Sequence, residues 1–271
     1  MPIASVTTPT SFHSARSQFN AGAVSGAYSG QASEKFGQST VIDFDPGTGT
    51  YKLTNRENVS VTVGNSQKLP ESTADRLVFR RVDGSLQHDV VITTPTQGGV
   101  KFTYSRILGW NILNNGTRDN KFQFGVFGMT TDTVDMPKTG QGSYSIDGAI
   151  GANGFDPQTF TAYNFQPNST GTFSVDFGAG SVQTVLRMLG INEAAPGSAA
   201  VDFGSFGGTG TLTAGGPAFS GTFTSTSGSA PIARSAFEGA FFGPAAQEMN
   251  YVFHIDTSRI DITGTVSGRK R

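Results

Sequence analysis

From residue 142 to residue 266 the chain is cut into short runs in which apolar and polar residues alternate, most of them closed by Gly, Asn, Asp or Ser. The runs fall at 142–147, 159–164, 171–177, 198–203, 209–213, 218–224, 235–242, 251–255 and 259–266. Alternation with a period of two places side chains on opposite faces of a strand, and Gly-rich breaks at this spacing are turns. The 22 Phe need a core, while 14% charged residues and 36 Gly disfavour a helical or a solvated chain. About eight strands without a long helix predict a closed antiparallel barrel, which leaves no open edge. Residues 181–189 read equally as a strand or as one or two helical turns.

The first half is also strand-rich. Residues 41–53 form a hairpin pattern around Asp45-Pro-Gly-Thr-Gly49, and further runs occur at 59–63, 75–82, 89–93, 100–104, 108–110 and 121–127. Asp43 and Asp45 have the spacing of two calcium ligands, but the rest of a calcium loop is missing, so a turn is expected. Residues 1–38 show no sustained period and read as a mobile or wrapping arm. Met136-Pro-Lys-Thr-Gly-Gln-Gly142 interrupts the pattern and is the best internal boundary. The expected organisation is all-β: an arm over 1–38, a β-rich domain over 39–137 and an eight-stranded barrel over 138–271.

A net charge of −1 gives no electrostatic footprint for nucleic acid, and the basic 268–271 end reads as a solvated tail. The chain has no Cys, which removes disulfides, thiolate metal sites and Cys nucleophiles. No run approaches the roughly 20 apolar residues of a transmembrane helix. No basic-then-apolar leader opens the chain, which fits either a trimmed mature sequence or export without a cleaved signal.

Phe237-Glu-Gly-Ala-Phe-Phe-Gly-Pro-Ala-Ala-Gln-Glu-Met-Asn-Tyr-Val-Phe253 joins two strand patterns through a compact, helix-like Gly-Pro turn. This stretch resembles the closing hairpin of barrel domains in the transferrin-binding-protein-B-like bacterial surface proteins. Tyr104-Ser-Arg-Ile-Leu-Gly-Trp110 leading to Phe124-Gly-Val-Phe-Gly-Met-Thr130, and the 136–144 junction, are similar to the same family in order and spacing. The resemblance implies one handle-plus-barrel unit over about 40–271. It also implies a non-catalytic binding protein at the outer face of the outer membrane, or secreted. The ligand it implies is haem or another iron source, passed to an outer-membrane TonB-dependent receptor. An adhesion or host-protein-binding module on the same scaffold is the alternative. The family's anchoring Cys is missing, and one unit replaces the usual two lobes.

No catalytic motif stands beside this reading. His13, His88 and His254 are far apart, and neither His-Glu-x-x-His nor a Gly-x-Ser-x-Gly elbow occurs. Gly-rich 204–210 lacks the Lys of a phosphate loop. A carboxylate pair drawn from Asp176, Asp202, Glu238 and Glu248 stays open, although Glu248 is expected to brace its turn. Asn58, Asn115 and Asn168 begin chance glycosylation triplets. Alternation puts His254 opposite Phe253, so a barrel filled by Phe253 leaves His254 on an exposed outer face. Phe173, Phe177, Phe219, Phe223, Phe237, Phe241 and Phe253 are expected in the barrel core. No cofactor is required. For haem the candidate contacts are His88, His254, Tyr104, Met129 and Met136, with Trp110 and Met129 expected in an apolar cleft at the domain seam.

Overall fold

The structure is a computed structural model that describes residues 1–22, 28–146, 148–165, 169–226 and 228–271. The chance triplet at Asn168 lies outside the described residues, as does Asp147 at the end of an expected strand.

The first half builds β1 (Thr10–Ala21), β2 (Tyr28–Glu34), β3 (Val41–Asp45), β4 (Thr50–Thr54), β5 (Ser60–Val63), β6 (Arg76–Asp83), β7 (Leu86–Thr93), β8 (Thr96–Gln97), β9 (Val100–Lys101), β10 (Ser105–Asn114) and β11 (Asn120–Gly128). Except for the small β8–β9 hairpin, these form one sheet in the order β5-β4-β3-β1-β11-β10-β7-β6, with β2 paired to β1. The sheet curls until β6 approaches β5, and the Arg81 guanidinium bridges the gap by donating to the Thr62 carbonyl at 3.0 Å. Phe12, Ile42, Val63, Val90, Leu108 and Trp110 fill its interior. At Asp45 the turn expectation holds: the carboxylate accepts from Gly47 N–H and Thr48 Oγ1–H, both at 2.9 Å.

The expected mobile arm is corrected. β1 is a central strand between β11 on one side and β3 and β2 on the other. Its sequence hides this because it is buried through Ser and one Arg as much as through Phe. Arg16, 1% exposed, donates to both carboxylate oxygens of Glu34 and of Glu57 and to Gln123 Oε1, so the buried cation is enclosed by acceptors.

The second half builds β12 (Gln141–Ser145), β13 (Ile150–Asp156), β14 (Thr161–Asn164), β15 (Thr170–Asp176), β16 (Ser181–Asn192), β17 (Val201–Leu212), β18 (Ala218–Ser225), β19 (Ile232–Phe242), β20 (Glu248–Thr257) and β21 (Asp261–Lys270). β12, β15, β16, β17, β18, β19, β20 and β21 close into an eight-stranded antiparallel ring, with β21 returning to β12. The β13–β14 hairpin continues the same wall, β13 on β21 and β14 on β16. The fold is therefore nearly all-β, a handle followed by a barrel.

Segment 181–189 is strand. The expected runs at 198–203 and 209–213 are parts of one strand, β17, which begins at Val201. β13 had no clear pattern because Gly151, Asn153 and Gly154 break its apolar run; pairing with β21 makes it a strand. All seven expected Phe lie in the barrel core. Phe237 fits because Gly210 and Gly221 face each other across β17 and β18, where a Cβ on either would strike its ring. The β19–β20 connection is the expected compact turn, a 3-10 turn over Pro244–Ala246 that follows Gly243 at φ 73°.

Candidate functional site

Every residue of β20 is buried. Met249, Tyr251, Phe253 and Ile255 point into the barrel core. Glu248, Asn250, Val252, His254 and Asp256 point out, and the handle covers them through β1, β2 and β11. Val252 meets Ala15 and Val126, and Ser17 Oγ–H reaches the Gly264 carbonyl at 3.5 Å. The exposed outer position expected for His254 is corrected. It does face outward, but handle docking leaves it 7% exposed, with Nδ1 2.8 Å from Ser33 Oγ. Burial, helped by the Arg234 charge, lowers its pKa to about 4, so the ring is neutral at physiological pH.

Two carboxyls share this seam. Burial raises Glu238 to about 7 against the opposing charge of Lys35. Burial and then Asp261 raise Asp256 to about 6 against its ion pair with Arg234. Glu248 braces the handle rather than its own turn. It accepts from Thr103 N–H at 2.5 Å, Tyr104 N–H at 3.0 Å and Ser105 Oγ–H at 2.8 Å.

The sequence candidates do not converge. His88 is buried in the handle, where its Nδ1 accepts from the Trp110 indole N–H at 3.3 Å. Burial lowers its pKa. Trp110 belongs to the handle core, not to the seam, which corrects its expected place in an interdomain cleft. Tyr104 and Met129 do meet: Met129 N–H donates to the Tyr104 carbonyl at 2.8 Å, and Gly243 N–H donates to the Met129 carbonyl at 2.9 Å. The Tyr104 ring lies where a Cβ on Gly243 would be. These two residues join handle to barrel through the Gly-Pro turn. Among the described residues, no group of three or more His, Asp or Glu is placed to hold a metal ion.

Two surfaces escaped the sequence reading. At one end of the barrel, Phe160 caps the β13–β14 hairpin, 65% exposed and at φ 55°. Phe155 contacts it edge-on at 6.1 Å, and Gln158 Nε2–H ties the tip to the β20–β21 turn through the Ser258 carbonyl at 2.9 Å. In that turn Arg259 lies over the Phe203 ring at 4.8 Å. A Gly or Asn was the residue to expect at a left-handed turn position, so Phe160 carried no signal in the sequence. The second surface is a groove of about 400 Å³ between the handle's outer face and β13, β14 and β21, with Arg76, Val91, Ile107, Phe124 and Asn153 among its walls. None of the sequence candidates lines it.

The family described as C-lobe and N-lobe beta barrels of Tf-binding protein B matches residues 136–270. No curated protein sequence matches the chain. Intact Ap-TbpB, with N and C lobes, is similar in structure at a TM-score of 0.52 and 15% identity, covering 94% of this chain and 46% of that one. This chain thus spans a little under half the length of that two-lobed protein. A mutant of transferrin-binding protein B from Haemophilus parasuis gives a TM-score of 0.49 at 12% identity, over 97% of this chain and 78% of the other. The haemoglobin receptor HpuA from Kingella denitrificans gives 0.42 at 12% identity, over 99% and 88%.

Proposed function

Through its barrel this chain belongs to the transferrin-binding-protein-B family, and we propose that it is a non-catalytic bacterial surface protein that captures a host iron-carrying protein. One observation carries the reading. The β13–β14 hairpin on the barrel wall holds an exposed aromatic, Phe160, in a strained backbone conformation, and Gln158 ties its tip to the turn that carries the exposed Arg259. A non-Gly residue at positive φ costs on the order of 1–3 kcal/mol, and such strain gathers at recognition sites. Aromatics and Arg are the residues that dominate binding energy at protein interfaces. Capture on rigid loops needs no bond-making step, and the load passes on to an outer-membrane TonB-dependent receptor.

Direct haem capture is the second reading, with Tyr104 and Met129 as its candidates at the domain joint, where a main-chain hydrogen bond brings the two residues together. Against it stand the two histidines, buried with Nδ1 already engaged. The test is surface binding of haemoglobin, transferrin and lactoferrin beside a haemin titration. Phe160→Ala should weaken capture of the cognate protein at least tenfold while leaving the melting temperature equal or higher. Wild-type affinity in that variant overturns the placement of the site. A saturable Soret shift with haemin and no protein capture replaces the first reading with the second.

A further inference from the structure

β7, β10 and β11 are apolar on both faces where they lie side by side. Val90, Ile92 and Leu108 face the handle core, while the row Val91–Gly109–Phe124 and the neighbouring Ile107 face outward. A sheet with one solvated face alternates apolar with polar, so two apolar faces indicate that something covers the outer one. The barrel covers it only in part. What remains is the groove of about 400 Å³, at the lower end of the ~300–1,000 Å³ range of small-molecule pockets and between two domains, where such pockets concentrate. Its floor stays open at Gly109, where a Cβ would touch only Val91, at an ordinary 3.7 Å.

Polar groups ring the apolar floor: Thr93, Asn153 and Thr265. Arg76 is the one charged side chain among the described lining residues. It is exposed, and its guanidinium makes no ion pair among the described residues. No carboxylate is among the described lining residues.

We propose that this groove binds a small aliphatic carboxylate, its chain over Val91, Ile107 and Phe124 and its carboxylate at Arg76. The occupant bridges handle and barrel, so binding tightens their contact. This site is separate from the Phe160 surface, and its fate does not depend on what that surface captures.

Titration calorimetry with decanoate and with decan-1-ol on the full chain tests it. Expected are one saturable equivalent of decanoate, a negative heat-capacity change from apolar burial, and a raised melting temperature. Decan-1-ol should bind about three- to fivefold more weakly, the worth of an exposed ion pair. Arg76→Gln should weaken decanoate by the same factor and leave decan-1-ol unchanged. Gly109→Leu, which fills the floor, should abolish both. Equal binding of acid and alcohol, or an undiminished decanoate signal in Arg76→Gln, overturns the proposal. Should Gly109→Leu fold poorly, those two arms decide alone, since Arg76 lies exposed at the rim.

Discussion

Glu248 shows how one side chain can hold two domains. Its carboxylate collects two backbone N–H groups and a hydroxyl from the handle, and it is 2% exposed. Hydrogen bonds to a charged acceptor are the strong class, and their loss strands buried donors. Glu248→Ala should cost roughly 3–5 kcal/mol in denaturant unfolding. Glu248→Gln, which keeps the shape and one acceptor, should cost less than half as much. Equal losses for the two variants would mean that the charged carboxylate with both its oxygens, and not the shape that Gln retains, is what Glu248 supplies. The sequence pointed to Glu248 as a brace through the family pattern. It did not show what is braced, because Thr103, Tyr104 and Ser105 are more than 140 positions away.

At the scale of the element, β20 explains the pH behaviour of the seam. Its outward residues titrate in a place they would not be buried in a free barrel. Glu238 on β19 and Asp256 on β20 have folded pKa values raised to about 7 and about 6. Raised carboxyls bind protons more tightly when folded, so their stabilisation is complete below the unfolded value and lost as pH rises through 6 and 7. His254, lowered to about 4, acts oppositely: its stabilisation is complete above its ordinary 6.5 and lost as pH falls toward 4. Above pH 6.5 only the carboxyl arm still changes. Glu238→Gln should therefore raise the melting temperature at pH 8 by several degrees more than at pH 5. An equal shift at both pH values would show that Glu238 is not a source of the alkaline loss. The alternation of β20 was plain in the sequence, including the opposition of Phe253 and His254. Its double burial was not, since alternation looks the same whether the outer face meets water or another sheet.

For the whole molecule, handle and barrel share a buried face built from β1, β2 and β11 against β19, β20 and β21. Val252, Asn250 and His254 would meet water if the handle left. Calorimetry of the full chain should show one unfolding transition, and a barrel cut to residues 138–271 should melt at least ten degrees lower. Two resolved peaks, or an undiminished isolated barrel, would mean the domains are energetically independent.

Local chemistry made much of this protein legible in its sequence. Period-two alternation marked most strands, Gly and Pro marked the turns, and the seven Phe marked the barrel core, because each depends on a residue and its near neighbours. Contacts between distant segments were decided only by the tertiary structure. β1 became a central strand because Arg16 found Glu34, Glu57 and Gln123. His88 and His254 became buried and neutral because other strands closed over them, and Phe160 took a glycine-like conformation because the strands it joins required that turn. Burial is a property of what arrives from elsewhere in the chain, and no local pattern records it.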